Sequence, residues 1–574
     1  AKNLYRDINI YDNTLNYFDI GFQSPAGSDG FSTYEYEVVD TLHVRGNEVF
    51  RIKYQPKRKD VLAFQGYLYI TTDKFAVLEA TLKSSNKMSV NYVNGISTEL
   101  EYDNPDDETF LPSKISTEIL MSLLGKNKKN KGIVAKRSVG YSKYEFDQPI
   151  DNQIFEKKEE DFNNALLEKP DEYWQTVRTD SLSTKEQGVY EMIEKLEDTP
   201  KFNRIVKITE IIGSGYWNVG NAIDIGNLYS IYGYNQIEGS RIRLGARTYF
   251  SREDIWRIQG YGAYGFLDKQ FKYGVEAKYM FNKINRFTLG YGTRRDIMQL
   301  GVQLTGDDGI MSRTFASSSV FARGENASLS SVIQNNIFAS IDPWNNFQIR
   351  LDASLQSIKS ANSEIFNLHY YKNGDLRKTV NDSHLSLSLI ARPGAKFSQN
   401  GVDRIEFSSL ASTILLKYTR GVEGLFNADF TYNKLQLMYY KPFLLGSWGR
   451  SVINLEAGKN FDAVPLALQN IIPANQSYGL VPNVFAQLNY YEFVADTYST
   501  LHFEHHFNGK IFSYIPLIKK LKFREVAFFR AAYGTLSDAS KNINVEGWKY
   551  SAPSEKVYYE YGVEIGRASC RERV

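Results

Sequence analysis

His502, Glu504 and His506 are the residues best suited to chemistry, two imidazoles and a carboxylate at alternate positions of one short segment. Both side-chain types bind divalent metals. Leu501, Phe503 and Phe507 flank and interleave with them, so a strand here holds the polar three on one face and turns the apolar ones away. Same-face neighbours on a strand stand roughly 7 Å apart, too far for all three to close on one ion without help from an adjacent strand. The spacing therefore favours a hydrogen-bonded polar network over a metal centre, and no metal or cofactor is expected. Ser383 beside His384, and His502 with Glu504, supply catalytic types without a diagnostic spacing, and His43 and His369 stand alone. No catalytic residue is assigned, and the chain is read as a non-enzyme.

The elements that would position these groups alternate throughout. Arg241 and Arg243 interleave with Ile242 and Leu244, Lys272 and Glu276 with Tyr273, Val275 and Ala277, and Arg350 and Asp352 with Ile349, Leu351 and Ala353. A side-chain period of two places each set on its own face of a sheet. Repeated in segments of roughly ten residues, this is the pattern of a transmembrane β-barrel with lipid outside and a polar lumen inside. Arg241, Arg243, Lys272, Glu276, Arg350, Asp352, His502, Glu504 and His506 are the expected lumen network. Gly260-Tyr261-Gly262 and Gly290-Tyr291-Gly292 lack the strand-to-helix setting of a phosphate loop and read as glycines that relieve curvature and aromatic crowding. The fold class is all-β: an antiparallel β-meander in the periplasm followed by a transmembrane antiparallel β-barrel. About fourteen strands are visible and sixteen are expected for a full chain, since closed bacterial barrels take even numbers.

Composition agrees with a wall that is apolar on one side only. Of 574 residues 42% are hydrophobic, and 40 Tyr and 35 Phe dominate a 14% aromatic share that suits interfacial girdles. Mean hydropathy is −0.40. The net charge of +2 and the absence of a clustered basic surface exclude a nucleic-acid partner. The single dense basic run, Lys126 to Lys131, reads as a solvated loop. The expected partners are outer-membrane lipid and periplasmic or lipoprotein components.

Four segments follow: a β-rich periplasmic domain at 1–150, a polar linker with a short helix at 151–204, the barrel at 205–563 and a tail at 564–574. In the first, Asn94-Gly95 is one of several turn signals between short strands. In the second, Ser183 and Glu186 form a capping box, Val189, Ile193 and Leu196 share a helical face, and Pro200 ends the helix. From Ile205 onward the pattern reads as strands and turns, with less regular strands near 330–340, 365–372 and 484–493. The tail, EIGRASCRERV, reads as a translated sequencing adapter, so Cys570 and any thiol chemistry go with it. On that reading the chain is a fragment that stops inside a strand, and the start at Ala1 in place of Met reads as an N-terminus that is mature, trimmed or missing.

Several segments resemble a Bacteroidota outer-membrane family built on a domain of unknown function. They include Tyr5 to Asn13, Tyr34 to Thr41, Phe64 to Ile70, Glu172-Tyr173-Trp174 and Glu238 to Arg241. The strongest block is Asn489 to Asp496 followed by Glu504 to Gly509 and Leu521 to Val526. The resemblance implies an outer-membrane barrel of undefined role, usually preceded by a carboxypeptidase-regulatory-like β-sandwich and a signal peptide. That sandwich is an accessory and implies no peptidase. The expected role is transport, export or envelope assembly, with the β-domain handling a partner or cargo. A passive or gated channel is the alternative. An insertion or secretion barrel is disfavoured, because no repeated βααβ modules precede the barrel.

Overall fold

The computed structural model describes residues 8–567 apart from 18–19, 58–61, 85–92, 107, 122–132, 142–143, 145, 147–170, 178–182, 221, 302–303, 305–327, 407–409, 446–447, 476–482, 508, 520–522, 546–549 and 554–555. The basic run at 126–131 and residues 568–574 lie outside the described residues.

A hairpin of β1 (Thr14–Tyr17) and β2 (Ile20–Gln23) and a single turn of helix, α1 (Gly30–Thr33), precede a seven-stranded meander. Its strands run in chain order: β3 (Tyr34–Val44), β4 (Asn47–Pro56), β5 (Phe64–Thr71), β6 (Val77–Ser84), β7 (Val93–Asp103), β8 (Leu111–Met121) and β9 (Ile133–Gly140). Along β7, Ile96, Thr98, Leu100 and Tyr102 are buried while Glu99 is exposed, as a half-buried strand requires. The β1–β2 hairpin lies over that buried face. The Tyr17 hydroxyl meets Thr98 Oγ1 at 2.8 Å, and Phe22 stacks on Phe64 at 4.9 Å. The chain's own residues fill this face, which is the packing arrangement rather than an open groove. Asn94-Gly95 is not a turn: β7 runs through it, and its register shifts between Val93 and Gly95 as a bulge.

Among the described residues three helices follow, α2 (Asp171–Val177), α3 (Thr184–Glu197) and α4 (Pro200–Ser214). The last corrects the expectation of strands from Ile205. Pro200 starts α4 rather than merely ending α3, because a first-turn residue needs no backbone N–H donor. Gly215, at φ 73°, closes it with its N–H on the Ile211 carbonyl.

Beyond α4 lies one sixteen-stranded antiparallel sheet. It comprises β10 (Tyr216–Val219), β11 (Ile223–Gly226), β12 (Tyr232–Asn235), β13 (Gly239–Thr248), β14 (Trp256–Gly265), β15 (Phe271–Met280), β16 (Thr288–Met298), β17 (Ser330–Trp344) and β18 (Phe347–Ser360). After a small hairpin, β19 (Tyr370–Lys372) and β20 (Asp375–Arg377), the wall resumes with β21 (Thr379–Ala391). A second hairpin, β22 (Phe397–Asn400) and β23 (Asp403–Glu406), precedes β24 (Thr413–Gly421), β25 (Tyr432–Leu444) and β26 (Arg450–Asn460). A third pair, β27 (Asn470–Ile471) and β28 (Val494–Ala495), precedes β29 (Thr497–His506), β30 (Phe523–Thr535) and β31 (Tyr558–Arg567). Short helices α5 (Pro516–Lys519) and α6 (Asp538–Ile543) flank β30. Both β11 and β12 pair with β13, so they form one wall strand interrupted at 227–231.

Burial in this sheet is inverted relative to a water-soluble protein. On β15, Lys272 and Glu276 are 2% and 4% exposed, while Tyr273, Val275 and Tyr279 are 39%, 44% and 42% exposed. The same holds on β18, where Arg350 and Asp352 are buried and Leu351 is exposed. Such a wall is polar on its buried face and apolar on its exposed face. The sheet curls, since Arg257 on β14 meets Asn400 of the connection ahead of β24, and among the described residues no ladder joins β10 to β31. No helix among them is long and apolar enough to cross a membrane.

Two expected strands are corrected. Residues 365–372 and 484–493 lie in connections outside the wall, whereas Thr379–Ala391, which carries His384, is a full wall strand that pairs with β18 and β24.

Candidate functional site

The concave side of the curled sheet gathers the polar residues, and connections from both rims fold over it. The proximal rim carries the 345–346 turn, and the distal rim carries the 461–496 connection.

Glycine, ring and guanidinium form one positioning device on the inner wall. A Cβ on Gly290 would stand 2.3 Å from the Phe338 ring, and one on Gly274 would stand 2.5 Å from the Tyr261 ring. The missing side chains let both rings lie flat on the wall. Arg350 then stacks over Phe338 at 4.0 Å and Arg243 over Tyr261 at 3.6 Å. From there Arg350 grips Asp352 through two bonds of 2.9 Å, and Asn336 donates to Asp352 at 3.0 Å.

Near the distal rim a second network pairs its cations with carboxylates, leaving only the Arg241 Nε of that guanidinium without a partner among the described residues. Arg241 donates to both oxygens of Asp296 at 2.8 and 2.9 Å and to Glu238 at 3.0 Å. Lys272 reaches Glu238 at 2.6 Å and Asp268 at 2.5 Å. The Tyr261 hydroxyl donates to Asp296 at 2.6 Å, and Gln259 donates to Glu276 at 2.7 Å. This interior neutralises itself instead of presenting one sign of charge.

The β22–β23 hairpin closes the proximal side. Arg257 on β14 donates to the Asn400 carbonyl at 2.9 Å and pairs with Asp403. Lys278 reaches Asp403 at 2.5 Å, and Arg404 reaches Asp342 at 2.6 Å. Five wall strands separate β14 from β24, so the hairpin crosses the interior to make these contacts.

A packed cap closes the distal side. Phe366, Leu368, Tyr370, Leu466, Phe485 and Tyr491 are among its buried residues. The Tyr490 hydroxyl donates to the Leu300 carbonyl at 2.9 Å, and the Leu300 N–H donates to Tyr491 at 3.1 Å, which ties the connection after β26 to the one after β16. Burial pushes both phenols well above their ordinary pKa, so both stay protonated. One carboxylate fastens the cap: Asp496 accepts from Gln469 at 2.8 Å, Ser540 at 2.7 Å and the Ser537 N–H at 2.7 Å. Glu560 does similar work, accepting the Ala486 and Gln487 N–H groups at 2.8 and 2.9 Å.

His502, Glu504 and His506 do not assemble into one centre. His502 is 4% exposed and packs on Phe485 of the cap at 4.8 Å between ring centres, with no hydrogen bond at Nδ1. Glu504 faces Arg530 at 3.5 Å and His506 at 3.6 Å. Among the described residues no group of three His, Cys, Asp or Glu could hold a metal ion. The predicted residues thus divide into three patches: Arg241, Arg243, Lys272 and Glu276 on the early strands, Arg350 with Asp352, and the histidine segment. Sequence reasoning missed the two caps. The signal was present in the Asn489–Asp496 block, whose Tyr490, Tyr491 and Asp496 do the fastening.

A family described as "Family of unknown function (DUF5686) C-terminal domain" matches residues 211–538, and one described as "Family of unknown function (DUF5686)" matches residues 1–136. No curated protein matches. Among the 65 solved chains that match is the crystal structure of BamA from Haemophilus ducreyi lacking POTRA domains 1-3. It is 11% identical with a TM-score of 0.35, and the likeness covers 60% of this chain and 63% of that one, less than two thirds of its length.

Proposed function

The chain belongs to the DUF5686 family of unknown function, and from that premise we propose that it is an outer-membrane β-barrel protein whose interior is closed by its own loops. Its N-terminal meander lies in the periplasm and handles a partner or cargo in transport, export or envelope assembly. The observation that carries this reading is the inverted burial of the wall, with Lys272 2% exposed beside Val275 at 44%. The partners are lipid and periplasmic or lipoprotein components, and no catalysis is assigned. The Bacteroidota source and a preceding carboxypeptidase-regulatory-like sandwich belong to the same proposal, and the full-length gene tests them.

Ile337 gives the direct test of the lipid-facing wall. It lies mid-strand on β17 between Tyr291 and Ala353 and is 60% exposed. In water an arginine there would change stability by about 0.5 kcal/mol or less. Facing the bilayer midplane, Ile337→Arg is expected to cost about 2–4 kcal/mol. Urea titration of the chain folded in lipid vesicles reads the difference, and a neutral outcome contradicts the proposal.

A gated channel is the second reading, favoured because both closures are made of connections rather than wall strands. In planar bilayers, currents that appear only after the caps are loosened support gating. Steady open currents from the unaltered chain contradict a closed interior.

A further inference from the structure

We propose that α4 lies in the plane of the membrane at the proximal interface, its isoleucine face in the acyl boundary; this rests on the barrel reading above. Ile205, Ile208 and Ile212 are 63%, 50% and 59% exposed, and their spacing of three and four places them on one helical face. Lys201 continues that face at the helix start and Arg204 and Phe202 flank it, while Asn203, Lys207 and Glu210 fall opposite. A water-soluble linker would gain nothing from three bare isoleucines.

Three observations select lipid as the occupant. First, the apolar surface is continuous with the outer wall, since the strands that follow α4 expose Trp217 at 54%, Val219 at 41% and Ile223 at 48%. Second, the helix is docked near the wall's proximal rim. Its last turn is held where Tyr229 donates to the Ile212 carbonyl, and Leu228 N–H donates to the Gly215 carbonyl at 2.8 Å. Tyr216 pairs with Gly226, the residue after Ile225, which pairs with Ala246; this level is three residues from Thr248 at the proximal rim. Three strand residues span roughly 10 Å, so the helix ends beside the wall and close to its proximal rim. Third, Lys201, Arg204 and Lys207 against Glu210 leave a surplus of positive charge suited to anionic headgroups. The neighbouring α3 has no such surplus, with Lys185 and Lys195 against Glu186, Glu191, Glu194 and Glu197.

The chain's single cysteine makes the test direct. In a Cys570→Ser background, an environment-sensitive fluorophore is placed in turn on Ile208→Cys, Ile212→Cys, Glu210→Cys and Leu351→Cys. Each chain is refolded into phosphatidylcholine–phosphatidylglycerol vesicles with or without brominated acyl chains. Quenching of about twofold or more at 208 and 212 is expected, with little at 210. Quenching at 351 with none at 208 or 212 overturns the helix assignment while leaving the barrel intact. Shielding at 208 without bromine quenching shows a protein cover, whether the meander or a second copy, and also overturns it. If 351 is not quenched, the barrel reading fails and the helix proposal fails with it.

Discussion

Asp496→Ala is expected to release the distal cap. The carboxylate is 8% exposed and serves three donors from two separate segments, Gln469 from one and Ser537 and Ser540 from the other. Gln469 and Ser540 are buried, and stranding a buried donor costs about 1–3 kcal/mol, so the cap should lose roughly 2–6 kcal/mol, which raises its opened population by about 30-fold or more. The connection at 461–496 contains Phe485, Tyr490 and Tyr491 but no Lys or Arg, so a protease of broad specificity is the suitable probe. Its cleavage rate should rise by the same factor while the wall resists. An unchanged rate contradicts a cap fastened through Asp496.

Arg241→Ala is expected to destabilise the wall itself, by about 3–5 kcal/mol, because it strips the cation from buried carboxylates. Glu238 is fully buried, and Asp296 loses two charge-assisted bonds. Lys272 still neutralises Glu238, so Asp296 bears most of the loss. The double variant Arg241→Met/Asp296→Asn should therefore recover part of the stability, since it removes the stranded charge along with its partner. Urea midpoints of the two variants in vesicles separate these outcomes. A silent Arg241→Ala would mean that water reaches the network and screens it.

Period-two alternation made the charged strands legible in advance. On β15 and β18 every inward position that carries charge is flanked by apolar outward ones, and those strands were placed within a few residues. β21 escaped because its inward residues along the second half are Ser386 and Ser388 rather than charges, a weaker contrast with Leu385 and Leu387. α4 escaped because Ile205, Val206, Ile208, Ile211 and Ile212 are β-branched, and β-branched runs favour strands until the Pro200 start and Gly215 stop are weighed. The Asn489–Asp496 block marked the cap's fastening residues, but their partners were out of reach for a different reason. Tyr491 and Leu300 are 191 residues apart, and a contact of that separation leaves no periodic trace in sequence. The histidine segment shows the same limit. Its face could be read from spacing, but Phe485, which covers His502, belongs to a distant connection.

The most direct measurement is a single-cysteine scan from Ile349 to Ser354 on β18, in a Cys570→Ser chain folded into brominated-lipid vesicles. Labels at Ile349, Leu351 and Ala353 should be quenched by the lipid, and those at Arg350, Asp352 and Ser354, which line the buried polar side, should not. Quenching that fails to alternate, or that is missing from all six positions, contradicts a wall with lipid on one side and a closed polar interior on the other.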